Sequence, residues 1–385
     1  MKLMSIAGAR PNFMKIASIA KAIENYNNNL PATAALQSKI DHVLVHTGQH
    51  YDKKMSQSFF DDLGIPQPDI NLEVGSGSHA HQTAEIMRAF EPVLLRESPD
   101  ILLVVGDVNS TIACCLVGSK IQYTAESKRE RPVIVHVEAG LRSYDRSMPE
   151  EVNRILTDSL SDVLFITEES AKDNLLKEGI VSEKIHFSGN VMIDTLKNHL
   201  KHAEKSGIKQ DLGVSSLYGL VTLHRPSNVD SPEILKDLVD TLLTISKKKS
   251  LVFPVHPRTR NNLERFSLYS KLEESSDIIL SGPLPYLDFL NLTMGADLVI
   301  TDSGGIQEET TYLNIPCVTL RENTERPVTV DVGSNYLIGT DKERILQTTD
   351  IILSGQGKKG TIPKFWDGKS GERIIATLVS LNNNF

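Results

Sequence analysis

Short apolar runs alternate with longer amphipathic stretches along most of the chain. The runs in the first half are LMSIA, HVLVHT, ILLVVGD, VIVHVEAG and VLFIT, and those in the second half are YGLVTLH, LVFPVH, DIILSG, DLVITDSGG and PCVTL. Each run suits one buried strand, and stretches such as SPEILKDLVDTLLTISKKK repeat apolar residues at helical spacing. This alternation is typical of parallel sheets covered by helices. It predicts an α/β fold with two Rossmann-like, doubly wound domains facing a cleft.

The length of 385 residues also suits two hydrophobic cores rather than one. The pattern restarts after KIHFSGN, so we place the first domain at residues 1–189 and the second at residues 190–367. The segment 368–385 has the pattern of a final amphipathic helix, and we expect this helix to pack back on the first domain.

Charge and composition narrow the class of partner. The chain has 41 basic and 49 acidic residues, a formal charge of -8 and no long basic block, so no nucleic-acid partner is expected. No apolar run approaches the roughly 18 residues that cross a bilayer, and the N-terminus lacks a signal sequence, so we expect a cytoplasmic protein without a membrane partner. The three cysteines, including adjacent Cys114 and Cys115, lack metal-ligand spacing and are expected to be buried thiols.

The turn Gly8-Ala9-Arg10-Pro11 follows the first predicted strand. Arg10 and Lys15 flank a predicted helix N-terminus, where free N–H groups and the helix dipole favour an anion. A phosphate contact and an ordinary surface turn both fit this fragment. Because no GxGxxG is present, the sequence argues against a dinucleotide cofactor.

A second turn, Thr301-Asp302-Ser303-Gly304-Gly305, ends a strand and precedes a helix that carries Glu308 and Glu309. Its backbone amides can cradle a diphosphate, and a carboxylate in the next turn can bind ribose hydroxyls. Arg326, after the next strand, could add positive charge. The alternative is a glycine-rich turn selected only for its backbone angles.

Three carboxylates form a third candidate group: Asp107 after ILLVVG, Glu138 after VIVHV, and Glu150 in PEEVNR. Asp107 and Glu138 follow consecutive predicted strands, so both could reach one ligand and act as acid and base. Burying charges at strand ends costs free energy, which favours a functional role. Glu150 and Glu151 also suit ordinary N-terminal helix charges. A metal site is less favoured because histidine ligands at suitable spacing are missing.

Two strands of the second half end in histidine, at His224-Arg225 and at His256-Pro257-Arg258. Such residues can neutralise a leaving diphosphate, although a single strand-end histidine is often only a hydrogen-bonded polar residue. Their occurrence in the same half as Ser-Gly-Gly strengthens the functional interpretation. Together the residues indicate transfer, elimination or isomerisation at a sugar nucleotide, with no cofactor.

The order of these motifs resembles one known family. GARPNFMK, VVGDVNST, HVEAGLRS, PEEVNR, LHRPSN, PVHPRT, TDSGGIQEE and ENTERP occur as in the UDP-N-acetylglucosamine 2-epimerases of the non-hydrolysing type. The resemblance covers nearly the whole chain and implies the two-domain fold shared with GT-B glycosyltransferases. It also implies a homodimer that uses no cofactor and no metal.

The resemblance implies a specific reaction. The bound sugar loses its C2 proton and UDP, passes through an enzyme-held 2-acetamidoglucal and regains UDP with C2 inverted. Asp107, Glu138 and Glu150 match the acid/base carboxylates, without individual roles, and His224 matches a residue that steadies the departing UDP. Arg154 matches an arginine beside the sugar. The positions that match UDP-contacting residues are Arg10, Lys15, Ser303, Gly304, Gly305, Glu309 and Arg326.

Two departures and several alternatives remain. The usual Thr-Arg-Pro-Glu is Ala9-Arg10-Pro11-Asn12 here. Gln49 and His50 fit the site at which some members bind an activating substrate molecule, but Asp52 replaces a glutamine, so activation is not expected. The alternatives are a hydrolysing 2-epimerase that releases UDP and N-acetylmannosamine, an epimerase of a UDP-2-acetamido-dideoxyhexose, and a GT-B glycosyltransferase. A non-catalytic sensor is disfavoured because all three carboxylates are present.

Overall fold

The structure of the protein, a computed structural model, describes residues 1–31, 38–49, 60, 64–214 and 217–382, with Arg10 described by its backbone alone. The chain divides into two compact units. Unit 1 comprises Met1–Lys197 and Lys364–Phe385, and unit 2 comprises Asn198–Pro363. The sequence pattern placed the first joint near residue 190 and the returning tail at residue 368.

The described part of unit 1 is built on seven parallel strands. They are β1 (Lys2–Ala7), β2 (Asp41–His46), β3 (Ile70–Asn71), β4 (Ile101–Val105), β5 (Val133–Ala139), β6 (Val163–Ile166) and β7 (Ile185–Phe187). Their order in the sheet is β3-β2-β1-β4-β5-β6-β7. The intervening helices are α1 (Arg10–Asn28), α2 (His79–Glu97), α3 (Asn109–Lys120), α4 (Pro149–Leu160), α5 (Glu169–Lys177) and α6 (Val191–Ala203). The last of these crosses the division between the units.

Unit 2 repeats the design with six parallel strands. They are β8 (Gly219–Thr222), β9 (Leu251–Pro254), β10 (Ile278–Ser281), β11 (Leu298–Thr301), β12 (Cys317–Thr319) and β13 (Asn335–Leu337), in the order β10-β9-β8-β11-β12-β13. The helices are α7 (Ile208–Asp211), α8 (Pro226–Val229), α9 (Pro232–Ser246), α10 (Pro257–Arg265), α11 (Tyr269–Glu273), α12 (Tyr286–Met294), α13 (Gly304–Leu313), α14 (Pro327–Asp331) and α15 (Lys342–Leu353).

The predicted α/β fold class with two Rossmann-like units is confirmed. Every apolar run quoted from the sequence contains a strand, because central strands of a parallel sheet are buried on both faces. All five residues of β4 and all seven of β5 are buried. The edge strands β3 and β13 were missed, since two or three residues are too few to show a periodic pattern.

Each sheet reverses its strand order at one point, between β1 and β4 in unit 1 and between β8 and β11 in unit 2. The six strands of unit 2 follow the order 3-2-1-4-5-6 of a dinucleotide-binding fold, and unit 1 follows the same order with β7 added at the edge. In such sheets ligands bind beyond the carboxyl ends of the strands beside the reversal. The strand order therefore predicts one ligand-binding position in each unit.

The final helix, α16 (Ser370–Asn382), packs against α1 in unit 1. Asp194 accepts a hydrogen bond from the Gly371 amide at 2.7 Å, so it caps the start of α16. Trp366, just before this helix, is buried and donates from Nε1 to the Thr167 carbonyl at 3.0 Å. Among the described residues, no helix combines the length and apolar character that crossing a membrane requires. The three cysteines are buried, as expected.

Candidate active site

Polar side chains gather at the carboxyl end of the unit 1 sheet. Lys15 lies in α1, Asp107 follows β4 by two residues, and Glu138 lies near the end of β5. β4 and β5 are neighbours and run parallel. The sheet order therefore brings these three predicted site residues to the edge at which doubly wound sheets bind ligands.

Glu138 is held in a strained backbone conformation. Its φ is 73°, in the left-handed region that residues other than glycine rarely adopt. The pairing of β5 with β6 shifts register between Val137 and Ala139, which marks a β-bulge at Glu138. The buried carboxylate forms an ion pair with Lys15, through Oε2 and Nζ. Strain of this kind persists where the surroundings fix it, and it concentrates at functional sites.

Gly106 leaves space for this ion pair. It has a φ of 65°, and a Cβ added there would lie 2.8 Å from Lys15 Nζ and 3.4 Å from Glu138 Oε2. The first distance is shorter than a real Cβ contact, so a larger residue would push against the pair. The glycine of VVGDVNST is thus required both by its backbone angle and by the close approach of Lys15.

Arg154 connects Asp107 to a second carboxylate. Its Nη2 lies 2.5 Å from Asp107 Oδ2, and its Nη1 contacts Glu151 Oε2. The Asp107 side chain is 26% exposed, whereas the other two are almost fully buried. Asp107 is therefore a carboxylate that reaches solvent while a fixed cation stabilises its charged form.

The two glutamates of PEEVNR have different environments. Glu151 accepts hydrogen bonds from the amides of Ser143 and Tyr144, both at 3.0 Å, so it anchors the loop before α4. Glu150 is half-buried, and no hydrogen bond or ion pair to it is found within the part of the chain that the structure describes. The acid/base role of Glu150 stays a prediction. Sequence reasoning missed Glu151 as the partner of Arg154.

Asn12 organises the turn before α1. Its Oδ1 accepts hydrogen bonds from the amides of Ala9 at 2.9 Å and Gly8 at 3.2 Å, and its Nδ2 donates to the Val105 carbonyl at 2.9 Å. Asn12 replaces the usual glutamate, and its side chain connects the turn to the end of β4. The side chain of Arg10 lies outside the described residues, so its predicted phosphate contact stays a prediction.

Gln49 follows β2 and is committed to internal hydrogen bonds. Its buried Oε1 accepts from the Ser110 amide at 3.1 Å and from Ser110 Oγ at 2.6 Å. His50 and Asp52 lie outside the described residues. The expectation that no activating substrate molecule binds here stays a prediction.

In unit 2, Asp302 orients His224. Asp302 is fully buried and accepts hydrogen bonds from the amides of His224 and Arg225 at distances of 2.9 to 3.1 Å. His224 Nδ1 lies 3.0 Å from Asp302 Oδ1. Burial opposes ionisation of Asp302, but His224 and the two amides outweigh burial and hold its pKa below the ordinary value. The carboxylate therefore accepts a hydrogen bond from Nδ1 and fixes the orientation of the imidazole ring.

His256 faces His224 with 5.7 Å between the ring centroids. Its Nδ1 accepts a hydrogen bond from the Arg258 amide at 3.2 Å and so caps α10. Burial and the neighbouring charge of His224 lower the pKa of His256. The neutral ring must then carry its proton on Nε2, where it can donate to an anion.

The turn of Ser303, Gly304 and Gly305 forms the N-terminus of α13, next to the reversal point of the unit 2 sheet. Its first amides have no partners inside the helix, which suits a phosphate. A Cβ on Gly304 would lie 2.9 Å from both Arg326 Nη1 and Glu325 Oε1, whereas one on Gly305 would meet nothing within 4 Å. Gly304 is required for packing, and Gly305 leaves open space for a ligand.

Arg326 is surrounded by carboxylates. Its Nη1 lies 2.6 Å from Glu325 Oε1, and its Nε lies 2.7 Å from Glu308 Oε1. Arg321 in turn pairs with Glu325 at 2.7 Å. All four side chains are at least nine-tenths buried. The sequence suggested an added positive charge, but the structure places Arg326 in a network of two arginines and two glutamates.

Glu309 lies one residue further along α13. It is buried, and its Oε1 accepts a hydrogen bond from the Tyr286 hydroxyl at 3.3 Å. A fixed carboxylate there suits ribose hydroxyls, as the sequence suggested. No group of three or more metal-ligating side chains is found among the residues that the structure describes.

The motifs place the chain in a family. The family profile of UDP-N-acetylglucosamine 2-epimerase matches residues 34–379. The chain belongs to the UDP-N-acetylglucosamine 2-epimerase family. It is 43% identical over 384 residues to the UDP-N-acetylglucosamine 2-epimerase of Methanocaldococcus jannaschii, covering 98% of this chain and 99% of that protein. Membership of the UDP-N-acetylglucosamine 2-epimerase family, which the sequence motifs predicted, is thereby confirmed.

Two further members of the family bear on structure and substrate. A crystal structure of the M. jannaschii UDP-GlcNAc 2-epimerase in complex with UDP-GlcNAc and UDP matches with a TM-score of 0.86 at 42% identity, over 99% of this chain and all of that chain. The UDP-2,3-diacetamido-2,3-dideoxy-D-glucuronate 2-epimerase of Pseudomonas aeruginosa is 38% identical over 384 residues, or 99% of this chain and 100% of that protein. The relatives of this chain thus carry the names of epimerases of two different UDP-sugars.

Proposed function

We propose that this family member inverts C2 of UDP-N-acetylglucosamine to give UDP-N-acetylmannosamine without releasing the free sugar. One observation carries the proposal most strongly. Asp107 follows β4, Glu138 lies near the end of the adjacent parallel strand β5, and each is paired with a cation, Arg154 or Lys15. Two carboxylates at one sheet edge suit a reaction that removes a proton from one face of a ring and returns it to the other.

The proposed reaction is an elimination followed by an addition. A carboxylate takes the C2 proton, the C2–H electron pair becomes the C1–C2 double bond, and UDP leaves with the C1–O electron pair. UDP then returns to C1 of the 2-acetamidoglucal while a second carboxylic acid delivers a proton to the opposite face of C2. We assign these steps to Asp107, Glu138 and Glu150 as a group, because the ion pairs of Asp107 and Glu138 suit acid/base work without separating the roles, and the resemblance supports Glu150.

Unit 2 is proposed to hold UDP throughout. The Ser303 amide donates to Thr301 Oγ1 at 3.0 Å, and the amides of Gly304 and Gly305 that follow it at the start of α13 suit the diphosphate, while Glu309 suits the ribose. His224, oriented by Asp302, is proposed to stabilise negative charge on the leaving UDP, since a preorganised donor acts most strongly where charge develops. The remaining proposed ligand contacts are Arg10, Lys15, Arg154, His256 and Arg326.

The identity of the sugar decides between two epimerase functions. Purified protein should be incubated separately with UDP-N-acetylglucosamine and with UDP-2,3-diacetamido-2,3-dideoxy-D-glucuronate, and the products followed by NMR. We expect an equilibrium mixture of two UDP-linked C2 epimers from the first compound. Free N-acetylmannosamine would indicate the hydrolysing reaction, and turnover of the second compound alone would replace the proposed substrate. Sugar transfer to an added acceptor without epimerisation would indicate a glycosyltransferase.

We also propose that the enzyme is a homodimer. The resemblance implies this state, and the outer face of α4 supports it because Val152 and Leu156 are 40% and 47% exposed. Tyr144, in the preceding loop, is 73% exposed. Light scattering during size-exclusion chromatography is expected to give twice the chain mass of 42.6 kDa. A single-chain mass would overturn the homodimer.

A further inference from the structure

A buried group of charged side chains lies beneath the ends of β4 and β5 in unit 1. We call His136, Asp158 and Arg142 the His136 cluster. His136 and Asp158 are fully buried, Arg142 is 3% exposed, and Arg142 pairs at 2.6 Å with Glu178 near the surface. Burying several charges costs free energy unless each charge is paired and hydrogen-bonded. None of the three was among the predicted site residues.

His136 is held by two groups that can only accept hydrogen bonds. Its Nδ1 lies 2.6 Å from Asp158 Oδ1, and its Nε2 lies 2.8 Å from the Gly106 carbonyl oxygen. Both ring nitrogens therefore face acceptors, and each is placed to donate a hydrogen bond. Burial opposes ionisation of Asp158, but His136 and Arg142 outweigh burial and hold the pKa of Asp158 below its ordinary value.

The second oxygen of Asp158 holds the other side of the β-bulge. Asp158 Oδ2 accepts a hydrogen bond from the Gly140 amide at 3.1 Å and lies 2.7 Å from Arg142 Nη2. One carboxylate thus links residue 136 to residue 140, on either side of Glu138. A left-handed conformation at a non-glycine residue costs on the order of 1–3 kcal/mol, and this link can offset that cost.

The same ring fixes the turn that carries Asp107. Gly106 has its carbonyl bound by His136, and its amide donates to the Val137 carbonyl at 3.1 Å. Asp107 is the next residue. One histidine is therefore connected through short hydrogen bonds to both sequence segments that present the proposed acid/base carboxylates.

We propose that His136 and Asp158 are positioning residues that set the relative placement of Asp107 and Glu138 for proton transfer at C2. This inference rests on the proposed epimerase function. Displacing a reacting group by about 1 Å can lower a rate by about a hundredfold, so small shifts at the bulge suffice. A cluster that served only stability would instead leave the turnover of folded enzyme unchanged.

The test compares Asp158→Asn, His136→Gln and His136→Leu with the wild type. His136→Gln keeps a side-chain amide that can donate to the Gly106 carbonyl, whereas His136→Leu keeps none. We expect kcat to fall about a hundredfold in Asp158→Asn and His136→Leu, with about tenfold higher activity in His136→Gln than in His136→Leu. The KM for UDP-N-acetylglucosamine and the affinity for UDP should stay within about twofold of wild type.

Asp162→Asn is the matched control. Asp162 follows α4, pairs with Arg131 at 2.7 Å and accepts from the Ile134 amide at 3.0 Å, at the opposite end of β5. We expect this variant to lose stability and keep its kcat. Folded His136→Leu or Asp158→Asn with wild-type kcat would overturn the proposal. So would a loss of activity that matches the loss of folded protein.

A separate measurement keeps the inference independent of the substrate. NMR of ¹⁵N-labelled histidine is expected to show a ring with both nitrogens protonated, assigned by its loss in His136→Gln. If wild-type enzyme shows this signal but no epimerisation, the proposed function fails while the cluster geometry stands. If wild-type enzyme epimerises but the ring is singly protonated, the positioning role of the Asp158–His136 pair is contradicted. If Asp158→Asn does not fold, the kcat values of the two His136 variants test the proposal.

Discussion

The two units place different chemistry at the same point of the same fold. In unit 1, β4 beside the reversal and its neighbour β5 present the carboxylates Asp107 and Glu138, and Glu138 has a left-handed backbone and a buried lysine partner. In unit 2, the strands β8 and β11 beside the reversal lead to His224 and to the turn of Ser303, whose φ of -82° is ordinary. Among the described residues of unit 2, left-handed non-glycine residues occur only at Ser267 and Asn314, away from the candidate site.

This difference shows what the fold determines and what the side chains determine. The strand order defines where a ligand binds in each unit, while residue type decides whether that place binds an anion or exchanges a proton. Unit 2 resembles a phosphate-binding site without backbone strain, and unit 1 resembles a catalytic site in which strain fixes one carboxylate. We therefore expect substitutions in unit 1 to change turnover and most substitutions in unit 2 to change binding.

The largest effect is expected for Glu138→Gln. The amide cannot exchange the C2 proton, so kcat should fall by about three orders of magnitude. UDP affinity, measured by calorimetry, should stay unchanged because unit 2 is intact. Glu97→Gln, which alters a surface ion pair with Lys2, is the control and should keep full activity. A parallel loss of UDP affinity would remove the distinction between the units.

Asp302→Asn tests the one unit 2 feature that we connect to turnover. The amide cannot serve both backbone N–H groups and the ring of His224 as an anion does, so the ring loses its fixed orientation. We expect kcat to fall about a hundredfold with a smaller change in KM. Asp297→Asn, which precedes the same strand β11 and removes an ion pair with Lys249, should leave kcat unchanged.

A pair of glycine substitutions separates packing from ligand binding in unit 2. Gly304→Ala should lower the unfolding temperature, because its Cβ would lie 2.9 Å from Arg326 and Glu325. A destabilisation of about 1–3 kcal/mol is expected. Gly305→Ala should leave stability unchanged, since nothing lies within 4 Å of its Cβ, but should weaken UDP binding. Equal effects of the two substitutions in both assays would contradict this division.

The prediction with the smallest expected effect on catalysis concerns the stability of unit 1. Burial raises the pKa of Asp194 to about 6, against 3.8 for a free side chain. Because this pKa is higher in the folded protein, its contribution to stability is present below pH 3.8 and is lost as the pH rises through about 6. Asp194→Asn should therefore reduce the difference in unfolding free energy between pH 4 and pH 7 by up to about 3 kcal/mol.

Denaturant titrations at the two pH values measure that difference. Asp162→Asn is the control, because burial opposes ionisation of Asp162 but Arg131 and the Ile134 amide outweigh burial and hold its pKa below 3.8. A pH dependence that is unchanged by Asp194→Asn would show that its carboxyl group ionises normally in the folded protein.

Much of the difference between the two units could be predicted from the sequence. Uninterrupted apolar runs marked the central strands, and the rule for parallel sheets placed Asp107, Glu138 and His224 at ligand-binding ends. The bulge at Glu138 could not be predicted, because the local sequence VEA is compatible with a regular strand. It becomes visible only through the pairing of β5 with β6.

The ion-pair partners of the charged residues could not be predicted from the sequence either. Arg326 suggested a free cation, but folding brings Glu308 and Glu325 to it from two segments of the chain. In the same way, Arg154 matches an arginine beside the sugar, which stays a prediction, and the structure adds its contacts with Asp107 and Glu151. The pairing of these arginines with carboxylates depends on distances across the fold, which residue spacing along the chain does not reveal.

The most direct test of the account follows both bonds of the proposed elimination in one sample. Wild-type enzyme is incubated with UDP-N-acetylglucosamine in heavy water, and NMR records deuterium at C2 together with the sugar–phosphate linkage. We predict deuterium at C2 of both UDP-linked epimers, with the linkage retained in the products. Release of free N-acetylmannosamine, or epimerisation that leaves protium at C2, would contradict the assignment of proton exchange to unit 1 and of UDP retention to unit 2.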